Sequence, residues 1–189
     1  MFVAHSLGGL VTRRALNIAS QSRYSHFQTI ETCTVGICFL GTPHHGADIA
    51  AWGSMLSSIV NVFKPANSNI VKFLGQESPM LMEVQDSFHN LLEIRKVRGS
   101  TIQIVCFYET ILIGKVCIVP KASATISGEL SFQIQANHMV SGTYLQSQIF
   151  RNEADRRKEM TKFSSSAEKG YRDIAREISR IAAGQNPNI

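Results

Sequence analysis

A serine set among small residues and followed at once by a helical pattern restricts what this chain can fold into more than any other feature of its sequence. The segment is Val3-Ala4-His5-Ser6-Leu7-Gly8-Gly9-Leu10. A hydroxyl is a weak nucleophile unless it is held proud of the surface beside a base, and a sharp strand-to-helix turn does this. Such a turn brings the backbone close to its neighbours, so the positions two before and two after the serine should be small. Ala4 and Gly8 meet that demand, with Ala4 standing where glycine is more usual. The turn also puts the Leu7 amide at a helix N-terminus, where it can donate to a developing oxyanion. Taken alone, the segment also reads as a glycine-rich helix start without chemistry.

The rest of the chain supplies the context. Leu10, Val11, Ala15, Leu16, Ile18 and Ala19 predict a helix from Leu10 to Ser20, packed on one side. Val35 to Leu40, ending in Gly41-Thr42-Pro43, predicts a buried parallel strand entering a loop. Helices are expected over Ile49 to Val62 and over Ser78 to Arg95, the second with Ser78 as N-cap and Pro79 in the first turn. Its apolar positions are Leu81, Val84, Phe88, Leu91 and Leu92. Thr101 to Tyr108 is the strongest strand and delivers Glu109 at its carboxyl end, and Val116 to Val119 is a shorter strand stopped by Pro120. From Glu168 to Ala183, Tyr171, Ile174, Ala175, Ile178 and Ile181 recur at helical spacing before Gly184. Strands alternating with helices imply an α/β fold, a parallel sheet covered on both faces.

In hydrolases built this way the catalytic groups follow in the order serine, acid, histidine, the last two in loops after later strands. Ser6, Glu109 and His138 stand in that order. Asp48 and Asp86 are rivals for the acid, less well placed at a strand end. His138 lies in the polar stretch Gln135-Ala136-Asn137-His138-Met139, where a general base is expected.

Composition excludes several classes. The chain has 189 residues, 44% hydrophobic and 17% charged, which is globular. No apolar run approaches the roughly 20 residues that span a bilayer. The net charge of +5 comes from short groups, Arg13-Arg14, Arg95-Lys96 and Arg156-Arg157-Lys158, which read as solvated surface rather than as a nucleic-acid site. Cys33, Cys38, Cys106 and Cys117 lack metal or redox spacing and read as buried free thiols of a reducing compartment.

Several phrases together resemble the serine active site-containing protein family, serine esterases that often form the N-terminal module of large fungal proteins. They are Ala4 to Val11, Gly36 to Gly46, Phe107-Tyr108-Glu109-Thr110, Val119-Pro120 with Ser123-Ala124, Asn137-His138, and Met160 to Ser164. The resemblance implies the C-terminal half of an α/β-hydrolase fold over residues 1–183, with a flexible tail at 184–189. It implies hydrolysis of carboxylic esters, lipid esters among them, without metal or cofactor. Ser6 would be the nucleophile, His138 the base, Glu109 the acid and Leu7 an oxyanion donor, with His44 and His45 on the substrate rim. The reducing compartment read from the cysteines makes a cytoplasmic protein the expectation, and the resemblance adds peripheral attachment to mitochondria or the endoplasmic reticulum as the alternative. The family carries early strands and a second oxyanion donor before the elbow, where this chain has five residues. The Ser6 strand is therefore expected to be a stub, the next strand an exposed edge, and the product unstable unless another chain supplies the missing half. The polar stretch 140–159 reads as an insertion. The alternative function is a catalytically inactive module of the same fold that binds protein partners.

Overall fold

Apolar residues on successive strand positions point to opposite faces, so a strand covered on both sides must be apolar throughout. Gly36-Ile37-Cys38-Phe39-Leu40 is buried at every position and forms β2. The structure, a computed structural model, describes residues 1–44, 78–109, 119, 121–126, 129–134, 161, 163 and 165–185. Within these, β1 (Phe2–His5) leads to α1 (Gly8–Gln21) and α2 (Ser25–Thr32), and β2 (Gly36–Leu40) follows. Then come α3 (Ser78–Val97), β3 (Gln103–Glu109), the short α4 (Lys121–Ala124), β4 (Leu130–Ile134) and α5 (Lys169–Ala182).

The strands form one parallel sheet in the order β1-β2-β3-β4. Ile37 and Phe39 of β2 join Ile104 and Cys106 of β3 on one face, packed against Leu16 of α1 and Phe88 and Leu91 of α3. Cys38, Leu40, Val105 and Phe107 point the other way, onto Ile174 and Ile181 of α5. Helices thus cover both faces, and the α/β class implied by the alternation is the observed one.

Several expectations need correction. The β2 strand is not an exposed edge, because β1, although only four residues long, pairs along it from Phe2 with Ile37 to His5 with Leu40. The neighbour of β3 is Leu130–Ile134, while Val119 lies at a bend and 116–118 fall outside the described residues. The expected helix over 49–62 and the 140–159 insertion also fall outside them. Helix α2 was not anticipated, since its buried side chain is Glu31 while Phe27 and Ile30 are exposed. Cys33 is exposed, whereas Cys38 and Cys106 are buried, and all three are free thiols.

The charge groups divide in the same way. Arg13 and Arg95 are buried, not solvated. Arg95 is taken up by the Glu31 carboxylate and by backbone carbonyls, and Arg13 by His44. Among the described residues no helix is long and apolar enough to cross a membrane.

Candidate active site

Parallel strands end on the same side of a sheet, so the residues following them meet along one edge, where sites in α/β folds are built. His5 is in register with Leu40, Leu40 with Phe107, and Phe107 with Phe132. Ser6 therefore follows β1 at the same edge where Gly41-Thr42-Pro43-His44 follows β2 and Glu109 closes β3.

Ser6 turns the chain from β1 into α1 with φ of 54°, the one non-glycine residue in the left-handed region among those described. Such a conformation disfavours a side chain by roughly 1–2 kcal/mol and persists only where the surroundings over-determine it. Two backbone bonds do so. The Ser6 N–H donates to the Leu40 carbonyl at 2.9 Å, and the Gly9 N–H donates to the Ser6 carbonyl at 3.1 Å. Leu7 is the N-cap of α1, so its amide belongs to the end of the helix whose donors lack intrahelical acceptors.

Two features of the turn differ from the sequence-based expectation. Ser6 is 2% exposed, below the surface rather than proud of it. Its backbone is bonded to Leu40, and the loop that continues from Leu40 packs Thr42 against the same turn. The demand for a small residue falls on Gly9 rather than Gly8. A Cβ at Gly9 would overlap the Thr42 side chain, whereas among the described residues nothing lies within 4 Å of a Cβ at Gly8.

Behind the turn lies a polar cluster that charge patterning did not signal. Arg13 on α1 is 2% exposed, and its guanidinium hydrogen-bonds Nδ1 of His44 while lying 5.4 Å and 5.1 Å from the ring centres of Phe39 and Phe88. Burial lowers its pKa from 12.5 to about 10, with Cys106 acting in the opposite direction. It therefore stays charged at neutral pH. A guanidinium can only donate, so His44 Nδ1 must accept and the ring proton sits on Nε2. That nitrogen is 3.6 Å from Sγ of Cys106, whose thiol is pushed up to about 12 mainly by burial and is neutral. His44, expected on the substrate rim, is fully buried and turned toward Arg13 and Cys106.

Glu109 is the last residue of β3, its backbone in register with Ile134 at the end of β4. Asp86 is exposed on α3. His45, His138 and Asp48 lie outside the described residues. No group of three or more His, Cys, Asp or Glu arranged to hold a metal ion occurs among the described residues.

Comparison with known proteins adds independent weight. Protein SERAC1 of Bos taurus is 33% identical over 145 residues, which cover 74% of this chain and 20% of that protein. The Homo sapiens and Danio rerio proteins of the same name are 32% and 30% identical over the same length, with the same coverage. The chain spans about a fifth of the length of these relatives. No solved structure matches. A family model described as putative serine esterase (DUF676) matches residues 1–126, which include the Ser6 turn, the loop after β2 and β3 but not His138. A match of that extent, over a parallel α/β sheet with its serine on a left-handed turn, makes the chain a member of the putative serine esterase family.

Proposed function

We propose that this chain carries the nucleophile of a serine esterase acting on carboxylic esters, lipid esters included, through Ser6, His138 and Glu109. The observation that carries the proposal is the left-handed Ser6 between β1 and α1 at the carboxyl edge of a parallel sheet. A strained serine at such a junction has its hydroxyl re-aimed out of the strand and its following amide aligned with a helix start.

In this scheme Ser6 Oγ bonds to the acyl carbon while His138 takes the serine proton, and the Leu7 N–H donates to the carbonyl oxygen as it gains negative charge. Collapse expels the alcohol, which leaves with the proton held by His138. Water then attacks the acyl-serine by the same proton transfers in reverse order and frees the acid. Glu109 orients the imidazole and stabilises it when charged. The sequence requires no metal or organic cofactor.

Chain reach supports the choice of His138. It follows Ile134, the end of β4, by four residues. Four extended residues reach roughly 14 Å. Three strand spacings, from β1 to β4, also amount to roughly 14 Å. An imidazole after β4 is therefore within reach of a hydroxyl after β1.

A fluorophosphonate probe tests the proposal. The full chain should become labelled on Ser6, and Ser6→Ala should abolish the labelling. Labelling that persists in Ser6→Ala overturns the assignment. The second reading, an inactive interaction module, is favoured by the 2% exposure of Ser6. A cooperatively folded protein that resists the probe supports that reading.

A further inference from the structure

We infer that Arg13 and His44 form a positioning pair for the esterase reaction proposed above, His44 serving as a buried hydrogen-bond acceptor that locks the nucleophile turn. The inference rests on that reading, and it gives His44 a role distinct from both base and substrate contact.

The end of β2 and the loop after it meet α1 and its entry turn at three points. Leu40 accepts from the Ser6 N–H, Thr42 abuts Gly9, and His44 accepts from Arg13. On the loop side the contacts fall at residues 40, 42 and 44, with the chain bending at Gly41, whose φ is 54°. On the other side they fall at Ser6 in the entry turn and at Gly9 and Arg13 of α1, the last two four residues apart and so on one face of the helix. The end of β2 and the loop after it therefore lie along the entry turn and the first turns of α1, and the three contacts run from the nucleophile to nearly two turns beyond it.

The far end of this clamp is anchored in three directions. The His44 ring joins Arg13 of α1 to Cys106 of β3, and its backbone N–H donates to the Ser123 carbonyl of α4 at 2.5 Å. Its ring also meets Phe39 edge-on with centres 4.6 Å apart, so it has little room to turn. Arg13, by contrast, has no other side-chain hydrogen bond among the described residues, where its Nε also has no partner. Loss of the His44 acceptor would leave that cation buried and free to re-aim, shifting α1 relative to the loop. The residue at the near end is Ser6, already held in a disfavoured conformation.

The test uses three substitutions of His44 in the full chain, read by fluorophosphonate labelling rate and by kcat and KM for a short-chain p-nitrophenyl ester. Asparagine places an acceptor oxygen near the position of Nδ1, whereas glutamine places its amide near the position of Nε2. His44→Ala should lower kcat about 100-fold, the scale of an ångström-sized misplacement, with KM nearly unchanged. His44→Asn should recover most of the loss and His44→Gln little of it. Arg13→Met combined with His44→Ala should be no slower than His44→Ala alone. Wild-type rates in His44→Ala overturn the inference, as does equal inactivity of the Asn, Gln and Ala variants. If wild-type protein is not labelled, the esterase reading fails rather than the pairing. Nitrogen-15 NMR of the His44 ring in the unaltered chain then judges the pair: a bare Nδ1 with a protonated Nε2 supports it, and the opposite tautomer overturns it.

Discussion

Two of the described arginines are buried, and they sit at opposite ends of the sheet. Arg95 lies at the amino end, where its Nη1 reaches both the carboxylate and the carbonyl of Glu31 at 2.7 Å. Its Nη2 reaches the Thr34 carbonyl at 3.1 Å and its Nε the Ser100 carbonyl at 2.7 Å, just ahead of β2 and β3. Every guanidinium nitrogen is engaged and a counter-charge is present. Arg13, at the carboxyl end, has a neutral imidazole as its acceptor, two aromatic faces, and an Nε without a partner among the described residues. The guanidinium of Arg95 is saturated with hydrogen bonds, while that of Arg13, beside the Ser6 turn, is under-satisfied among the described residues. Unsatisfied groups and strain persist in folded proteins where function requires a geometry that packing alone would not choose.

Breaking the saturated pair should have the largest effect. Glu31→Ala strands a guanidinium with 5% side-chain exposure and should destabilise the fold by about 3–5 kcal/mol, measured by urea denaturation. The labelling rate per folded molecule should stay at the wild-type value. Arg13→Met should behave in the opposite way. A pKa lowered from 12.5 to about 10 means that burial disfavours the charged form by roughly 3 kcal/mol, so an apolar replacement relieves that burden. Its stability should stay within about 1 kcal/mol of wild type, while labelling slows. Equal destabilisation by the two substitutions would erase the distinction between the two ends.

A smaller effect sharpens the picture within the Ser6 turn itself. Gly9→Ala drives a methyl into Thr42 and should lose about 1–3 kcal/mol by overpacking. Gly8→Ala meets nothing within 4 Å among the described residues and should gain up to about 1 kcal/mol from helix propensity. Thermal melts of the two variants decide it, and a loss in Gly8→Ala equal to that in Gly9→Ala would return the steric demand to the position two after the serine.

The contrast also explains which parts of the molecule were legible in the sequence. Helices α1, α3 and α5 and strands β2 and β3 bury apolar residues at regular spacing, so periodicity reveals them. Helix α2 buries Glu31 instead of an apolar stripe and leaves no such trace. The β4 strand did leave one, because Leu130, Phe132 and Ile134 alternate with Ser131 and Gln133, but the shorter apolar run before Pro120 competes with it. The Ser6 turn was legible because a strained serine between strand and helix needs small neighbours that stand out in the text. Arg13 and Arg95 were not, since each stands beside a second basic residue and only a tertiary partner distinguishes it from a surface charge. The same holds for His44, whose inward direction depends on Arg13, thirty-one positions away.

A carboxyl before β4 departs from the pattern around Arg95. Glu129, just before β4, has its pKa raised mainly by burial, with Lys96 acting in the opposite direction. A carboxyl raised in the folded state holds its proton more tightly there than in the unfolded chain. Its contribution to stability is therefore complete below the unfolded value of about 4.5 and is lost as pH rises through the folded value. At neutral pH the ionised group is a burden, reduced by solvent because the residue is only partly buried. Glu129→Gln should accordingly raise stability at neutral pH by less than about 1 kcal/mol. The gain should shrink toward zero as the solution is acidified below the unfolded pKa, where the wild-type carboxyl is neutral as well. Paired melting curves of the two proteins across that range measure the difference. A gain that grows on acidification would mean that Lys96 outweighs burial, and would return Glu129 to the fully compensated set around Arg95.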